Sequence, residues 1–226
     1  MGWLEEKMEA HNSKVYYKKN LSNLHHQLIG FYNSLFSTEL GISIGFGIIP
    51  MFNTKKKKVI FGGLNMSKSL ANKLGISLNA LRFSYLAHEE GERYYHHVNP
   101  PIKEFSERDI IRHALLEASK DVEPSGPTDI EMIISIAEGV AAGATNKALD
   151  KFGFEEAKSE DSIFDKLKDK RYSLQDVVKS GVPLTYIGYD YGKYFKVVKY
   201  FSGLDEKDFQ KEVRKDPKEL YLEILA

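Results

Sequence analysis

Residues 78–97 carry an apolar helical stripe that becomes ionisable without changing direction. The stripe runs from Leu78 to Tyr85 at spacings of three and four, which is the period of one helix face. The next positions on that face are His88 and Glu92. Burying an unpaired carboxylate or imidazole is costly, so such groups need charged partners or a metal ion. The chain must therefore fold so that another element brings a partner to this face.

A second predicted helix, residues 130–149, repeats the arrangement. Glu138 lies four residues after Ile134, on a stripe whose other members are apolar or small. Glycine and alanine in residues 139–143 leave little side-chain bulk, which allows another helix to approach closely. We therefore expect Glu138 to lie close to His88, because a shared metal or hydrogen-bonded cluster would satisfy both groups.

The rest of the chain is predicted to be mostly helical with one small β-element. Alternation in residues 42–49 and 58–62 predicts two strands, and the lysine-rich run between them predicts an antiparallel hairpin with a charged tip. The pattern is typical of an α+β protein, with an N-terminal helical segment (1–40) and one domain over residues 41–226. Helices are predicted at residues 3–38, 78–97, 106–120, 130–149, 173–180 and 186–201, and in two charged segments around Pro217.

The N-terminal helix has an apolar stripe of its own, which predicts that it packs against the rest of the chain. Its members follow one another at alternating spacings of three and four. They are Leu21, Leu24, Leu28, Phe31 and Leu35.

Composition excludes several classes of function. The chain of 226 residues has no cysteine, so it has no disulfide scaffold, thiolate metal site or cysteine nucleophile. Its 32 basic and 32 acidic side chains balance, which argues against a dedicated nucleic-acid-binding protein. The longest apolar run, residues 42–52, is too short to span a bilayer. A cytoplasmic location is the expectation.

The run His88-Glu89-Glu90-Gly91-Glu92 matches most of the zinc-protease motif His-Glu-x-x-His, with glutamate in the last position. Histidine and glutamate four residues apart can hold one cation from the same helix face, and the intervening Glu89 would flank it. In that motif the glutamate after the first histidine is the general base.

The segment Ile136-Ala-Glu-Gly-Val-Ala-Ala resembles the Glu-Gly-x-Ala segment that supplies the third metal ligand in many gluzincins, a family of zinc peptidases. The order of elements from residue 42 to 205 is also similar to that family. In the resemblance, residues 59–62 correspond to an edge strand before the motif helix, and residues 186–192 to a Tyr/Gly-rich helix after the active site.

The resemblance implies a zincin-like fold and a metal-dependent hydrolase, a peptidase that acts on a peptide or protein substrate. Its metal ligands would be His88, Glu92 and Glu138, and Glu89 would take the proton from a metal-activated water. A tyrosine would stabilise the oxyanion; Tyr189 is the choice, with Tyr186 and Tyr191 as alternatives. The metal would be zinc, although this oxygen-rich ligand set suits manganese or iron as well.

The same residues allow a second hypothesis, that of a helical protein that is catalytically inactive and acts by binding a protein partner. In that case His88 is a satisfied core histidine, Glu138 belongs to a buried polar cluster, and Glu92 pairs with Arg93, Arg108 or Arg112. His96 and His97 suit the end of a helix electrostatically, and His96 is the better substitute for the absent histidine ligand.

The lysine run at residues 55–58 is interpreted as the solvated tip of the hairpin, which protects a strand edge from pairing. The alternative is a contact with phosphate in nucleic acid or on an anionic membrane, which the balanced charge of the chain disfavours.

Overall fold

The computed structural model describes most of the chain as helix, together with one small sheet. The described residues are 3–47, 51–53, 56–62, 68, 71–72, 75–99, 129–158 and 191–226. They form seven α-helices and a three-stranded mixed sheet, which confirms the predicted α+β, mostly helical class. The helices are α1 (Trp3–Asn20), α2 (Ser22–Phe36), α3 (Leu78–Val98), α4 (Asp129–Phe152), α5 (Tyr191–Gly203), α6 (Glu206–Glu212) and α7 (Pro217–Leu225). The strands are β1 (Ile44–Phe46), β2 (Met51–Asn53) and β3 (Lys58–Phe61).

The N-terminal helix predicted over residues 3–38 is two helices that meet at Leu21. The break allows the Tyr17 hydroxyl to lie 2.7 Å from His25 Nδ1. Eight residues rise about 12 Å along a straight helix, so an unbroken helix would hold these two groups farther apart. The second helix ends at Phe36, where Ser37 adopts a left-handed conformation with φ 51°. A helix end of this kind commonly carries such a residue.

The sheet has the order β1-β3-β2, and the predicted pairing of its strands was wrong. The strand in residues 42–49, which is β1, runs parallel to β3, with Ile44 opposite Val59. The antiparallel hairpin joins β2 to β3 instead, with Phe52 opposite Val59. A short turn can pair only the two strands that flank it, and β2 is the strand that directly precedes the lysine run. The charged tip is as predicted for Lys56 and Lys57, which are exposed.

The strand expected at an edge, residues 59–62, is the central one. It pairs with both neighbours, and the side chains of Val59 and Phe61 are fully buried. The edge strands of the sheet are β1 and β2. The backbone amide of Phe52 on β2 hydrogen-bonds Glu89 of α3, as described below.

The central helices α3, α4 and α5 pack at very short separations because glycine stands at their contacts. A Cβ placed on Gly91 of α3 would lie 3.0 Å from the Cα of Ala141 on α4. On α4 itself, a Cβ on Gly139 would lie 2.3 Å from Val197 Cγ1 of α5. The predicted close approach of another helix to residues 139–143 is thus confirmed, and α4 lies between α3 and α5.

The predicted bounds of the remaining described helices are close to the observed ones. α3 begins after Ser77, whose hydroxyl accepts the Ala80 N–H at 3.0 Å, and α4 ends before Gly153, which has φ +73°. The charged C-terminal helices lie on either side of Asp216, the N-cap of α7. The helices predicted at residues 106–120 and 173–180 lie outside the described residues, as do residues 186–190 of the helix predicted there.

The stripe of the N-terminal segment packs into the main hydrophobic core as predicted. Leu21, Leu28 and Leu35 are buried, and Leu24 and Phe31 are partly buried against the same cluster. That cluster also contains side chains from β3, α3, α4, α5, α6 and α7. The division into residues 1–40 and 41–226 stays a prediction, because a shared core neither requires nor excludes it.

Candidate metal centre

The centre of α3 carries His88, Glu89 and Glu92 in the middle of a helix that is packed on several sides. The side chain of His88 is 19% exposed and that of Glu92 21%, so both reach solvent. Glu89 is buried at 8% exposure. The helical period places His88 and Glu92 on one face, as the sequence predicts, with Glu89 about 100° around the axis.

Glu138 comes to this face from α4. Its carboxylate Oε2 lies 3.1 Å from His88 Nε2, although the two residues are 50 positions apart in the sequence. The contact depends on the short separation of α3 and α4 at Gly91 and Ala141. The expectation that Glu138 and His88 lie close in space is confirmed.

The three side chains form a group that could hold one metal ion. His88 Nε2 lies 3.5 Å from Glu92 Oε1, and one ligand atom from each of His88, Glu92 and Glu138 lies within 4.8 Å of the other two. Ligands about 2.0–2.2 Å from a tetrahedral zinc ion are about 3.3–3.6 Å from one another. The observed separations therefore need only small side-chain adjustments to match a metal's first coordination sphere.

The charges within this group alter the proton affinity of its members. Burial by itself lowers the pKa of His88, but the hydrogen bonds that its ring donates to Glu138 and Glu92, together with the charges of both, outweigh it, so the pKa lies well above its usual range. Burial and the negative charge of Glu138 raise the pKa of Glu92 to about 7, against the opposing effect of His88. The group thus retains protons near neutral pH, which a bound cation would displace.

Glu89 lies beside the group without belonging to it. Burial, followed by the charge of Glu92, raises its pKa well above the usual range, while the backbone amide of Phe52 hydrogen-bonds the carboxylate and opposes that rise. Phe52 is on β2, so the edge strand of the sheet contacts the carboxylate next to the candidate metal ligands. Glu89 therefore lies between the edge strand of the sheet and the candidate metal ligands.

Two of the other predicted residues take no part in this group. His96 packs its ring on Phe52, with the centroids 5.4 Å apart, and does not join the group of ligand atoms found among the described residues. Arg93, suggested as a partner for Glu92, bonds Glu90 instead through Nε at 2.6 Å. Helical spacing explains the second result, because Arg93 points about 100° away from Glu92 and toward the face that carries Glu90.

For the remaining predicted residues, either the whole residue or its side chain is not among those that the structure describes. Tyr189, chosen for the oxyanion, and its alternative Tyr186 fall outside the described residues. Tyr191 is the first residue of α5, and its side chain is not described. Arg108 and Arg112, the other partners suggested for Glu92, also lie outside the described residues.

A buried polar cluster on the opposite side of α3 escaped the sequence analysis. Glu90 and His25 are both fully buried, with Glu90 Oε1 2.8 Å from His25 Nε2. A signal for it exists in the sequence: Glu90 interrupts a second apolar stripe of α3 that contains Phe83, Ala87 and Tyr94 at helical spacing. His25 lies beside the leucine stripe of the N-terminal segment, at helical spacing between Leu21 and Leu28. Each residue shows the need for a partner, but only the fold shows which partner it is.

In comparisons with known proteins, no family model, no curated protein and no solved structure matched this chain. Within the described residues, no helix combines the length and apolar character that crossing a membrane requires. The assignment of the site therefore depends on its geometry and on the resemblance of its motif.

Proposed function

We propose that this protein is a metal-dependent hydrolase of the zincin class, related to the gluzincins, that cleaves peptide bonds. The observation that carries the proposal is the convergence of His88 and Glu92 from α3 with Glu138 from α4, with Glu89 buried beside them. Three protein ligands leave further coordination positions for water and substrate, as in catalytic rather than structural zinc sites. The partial exposure of all three side chains gives such a water access to solvent.

Each residue has a defined role in this proposal. His88, Glu92 and Glu138 would hold zinc, or manganese or iron, since one imidazole with two carboxylates accepts all three. The bound ion would supply Lewis-acid activation of a water molecule and of the substrate carbonyl. Glu89 would take the proton of that water as its oxygen bonds to the carbonyl carbon. The same carboxyl would then give the proton to the nitrogen of the leaving amine as the C–N bond breaks.

The raised pKa of Glu89 is compatible with this role. A general base works best when its pKa is near the working pH, and an ordinary glutamate is too acidic for efficient proton transfer. A divalent cation beside the carboxylate would lower its pKa again, because an opposite charge favours the ionised form. Glu89 would thus be ionised in the loaded protein and able to accept a proton from the bound water.

A second candidate function is supported by one observation. His88 lies within reach of both carboxylates, at 3.1 Å from Glu138 and 3.5 Å from Glu92, so the cluster satisfies much of its own hydrogen bonding. A protein of this fold could therefore keep the cluster as a structural feature and act by binding a protein partner. Metal binding separates the two functions, because only the first requires it.

The test begins with metal analysis of the purified protein and titration of the chelated protein with Zn²⁺, Mn²⁺ and Fe²⁺. We expect one ion per chain and loss of that ion in Glu138→Gln. Exposed Glu39 offers a matched control, since Glu39→Gln makes the same chemical change away from the site. A protein that binds none of the three ions would contradict the proposal.

Peptide cleavage is then measured with a library of short peptides, with and without chelator. Glu89→Gln should keep the metal, because Glu89 is not a ligand, and should lose cleavage by about two to four orders of magnitude. If Glu89→Gln cleaves as well as the unaltered protein, the general base has been assigned wrongly.

A further inference from the structure

The face of α3 opposite the candidate metal ligands carries a second set of buried polar contacts. Glu90 lies about 200° around the helix axis from His88, and Tyr94 lies about the same angle from Glu92. On this side Glu90 contacts His25 of α2, and the hydroxyl of Tyr94 lies 2.9 Å from Asn33 Oδ1 and 3.2 Å from the carbonyl oxygen of Ile29. The site helix is therefore held by polar contacts on both faces.

The contacts continue on both sides of Glu90. His25 Nδ1 lies 2.7 Å from the Tyr17 hydroxyl of α1, and Arg93 donates from Nη2 to the carbonyl of Gly41 at 3.0 Å. We call Tyr17, His25, Glu90 and Arg93 the back-face cluster. It joins both N-terminal helices and the chain leading into β1 to the one helix that carries three of the four candidate site residues.

The back-face cluster is a costly way to pack two helices. Glu90 and His25 have no exposed surface, and Arg93 is 7% exposed. Well-packed apolar side chains of similar volume often serve stability as well as a buried ion pair does. An ion pair also restricts the relative orientation of the two helices, because its hydrogen bonds form only within a narrow range of distances and angles. Leu28 and Tyr32 of α2 already supply apolar packing near by.

A further hydrogen bond joins α2 to α3 next to the candidate ligand His88. The hydroxyl of Tyr32 donates to the carbonyl oxygen of Ala87 at 3.0 Å, and Ala87 directly precedes His88. Together with the Glu90 contact, it restrains α3 on both sides of His88 and Glu89. A rotation of α3 about its axis would break these bonds and would also carry His88 and Glu92 away from Glu138.

We propose that His25, Glu90 and Arg93 are positioning residues of the metal centre, which set the rotation of α3 so that His88 and Glu92 meet Glu138. This inference rests on the proposed function, because it assigns a role in metal binding. It makes the N-terminal segment part of the metal centre, although none of the three proposed ligands lies in that segment. Residues that hydrogen-bond metal ligands directly commonly affect metal affinity by about 10- to 100-fold, and we expect an effect of that order from residues that orient the helix carrying the ligands.

The test compares two substitutions of His25 with a packing variant in the same helix. His25→Leu keeps the volume and removes the contact with Glu90, whereas His25→Gln keeps a donor near the position of Nε2. Leu28→Ala weakens the packing of α2 without touching the back-face cluster. Each folded protein is titrated with Co²⁺ below its melting temperature, and the visible d–d absorption reports affinity and ligand geometry. The absence of cysteine removes thiol ligation as a competing signal.

We expect His25→Leu to bind Co²⁺ about 10- to 100-fold more weakly, with an altered d–d band. His25→Gln should restore most of the affinity, and Leu28→Ala should bind like the unaltered protein despite its lower stability. Unchanged affinity in His25→Leu would overturn the positioning role and leave the proposed function standing. An unaltered protein that does not bind Co²⁺ would overturn both.

If His25→Leu does not fold, Arg93→Met provides the decisive measurement, because it removes the bonds to Glu90 and to the Gly41 carbonyl and keeps the length of the side chain. Weaker Co²⁺ binding by the folded variant supports the positioning role, and unchanged binding overturns it.

Discussion

At the scale of single residues, Glu92 is the position that distinguishes the two candidate functions. The group is either a zinc site or a polar cluster whose members hydrogen-bond one another. It stands where the zinc-protease motif has histidine, and its carboxylate lies 3.5 Å from His88 and near Glu138. Burial, followed by the repulsion between this carboxylate and that of Glu138, raises the pKa of Glu92 to about 7. The same crowding makes a cation favourable here, because it replaces repulsion with attraction.

Glu92→His should raise zinc affinity by about tenfold or more, corresponding to roughly 1.4 kcal/mol per factor of ten. Imidazole is a good zinc ligand, the i, i+4 spacing is unchanged, and one of the two repelling carboxylates is removed. Calorimetric titration of the variant with Zn²⁺ measures the change, with Glu92→Gln as the control that removes the ligand. A variant that melts at a lower temperature and is indifferent to zinc would favour the non-metal cluster.

Stability of the chelated protein should fall as the pH rises from about 5 to about 8. The pKa values of His88, Glu89 and Glu92 are all raised, so in this window the folded state holds protons that the unfolded state has released. The slope of the free energy of unfolding with pH is proportional to the number of protons bound in the unfolded state minus the number bound in the folded state. That difference is negative here.

Urea unfolding at several pH values measures this slope, and Glu92→Gln should make it shallower by removing one of the shifted groups. Identical slopes in the two proteins would show that these groups do not control the pH dependence.

At the scale of elements, the helices α3, α4 and α5 are arranged by their small residues. Gly91, Gly139 and Gly143 stand where a neighbouring helix leaves no room for a side chain. The resulting short separation of α3 and α4 lets the short side chains of His88 and Glu138 meet directly. Bulkier residues at these positions would separate the helices and leave each ionisable group without its partner.

Gly143→Ala should destabilise the protein by about 1–3 kcal/mol, because a Cβ there would lie 2.5 Å from Phe201 Cβ and 3.1 Å from the Phe201 carbonyl carbon. Gly30 of α2 provides a matched control, since a Cβ at that exposed helical position meets nothing within 4 Å. Gly30→Ala should instead stabilise by about 0.5–1 kcal/mol through helix propensity. Chemical denaturation of both variants measures the change in the free energy of unfolding, which should have opposite signs in the two. Changes of the same sign would refute this account of the packing.

At the scale of the whole molecule, the N-terminal helices and the helices around the candidate site share one hydrophobic core. Tyr17, Leu28 and Phe36 belong to the same buried cluster as Val140 and Phe201. The N-terminal segment is also joined to α3 by the back-face cluster. Damage to the packing of α2 should therefore lower the stability of the whole described structure.

Leu28→Ala should lower the free energy of unfolding by about 2–5 kcal/mol, because the side chain is fully buried and its removal leaves a cavity. Leu222 of α7, which is 59% exposed, is the control; Leu222→Ala should change stability by no more than about 0.5 kcal/mol. Thermal melting should show one cooperative transition for both. A neutral result for Leu28→Ala would mean that α2 does not pack as described.

The sequence by itself determined the features that depend on short-range periodicity. The spacing of residues 78–97 and 130–149 placed His88, Glu92 and Glu138 on two helix faces, because side-chain direction in a helix depends only on local geometry. It also predicted the helix boundary at Ser77, where a side chain caps its own helix. The prediction that Glu138 meets His88 followed from the cost of burying each group alone.

Only the tertiary structure decided the features that join distant parts of the chain. Strand β1 lies parallel to β3 because the chain reverses direction twice between them, once between β1 and β2 and once between β2 and β3. Pairing of this kind depends on topology rather than on any one strand's pattern. Glu90 could be recognised as needing a partner, but His25 lies 65 positions away and is one of several candidates by sequence. The physical reason is the same in both cases: burial shows that a polar group must be paired, and only the packed fold selects its partner.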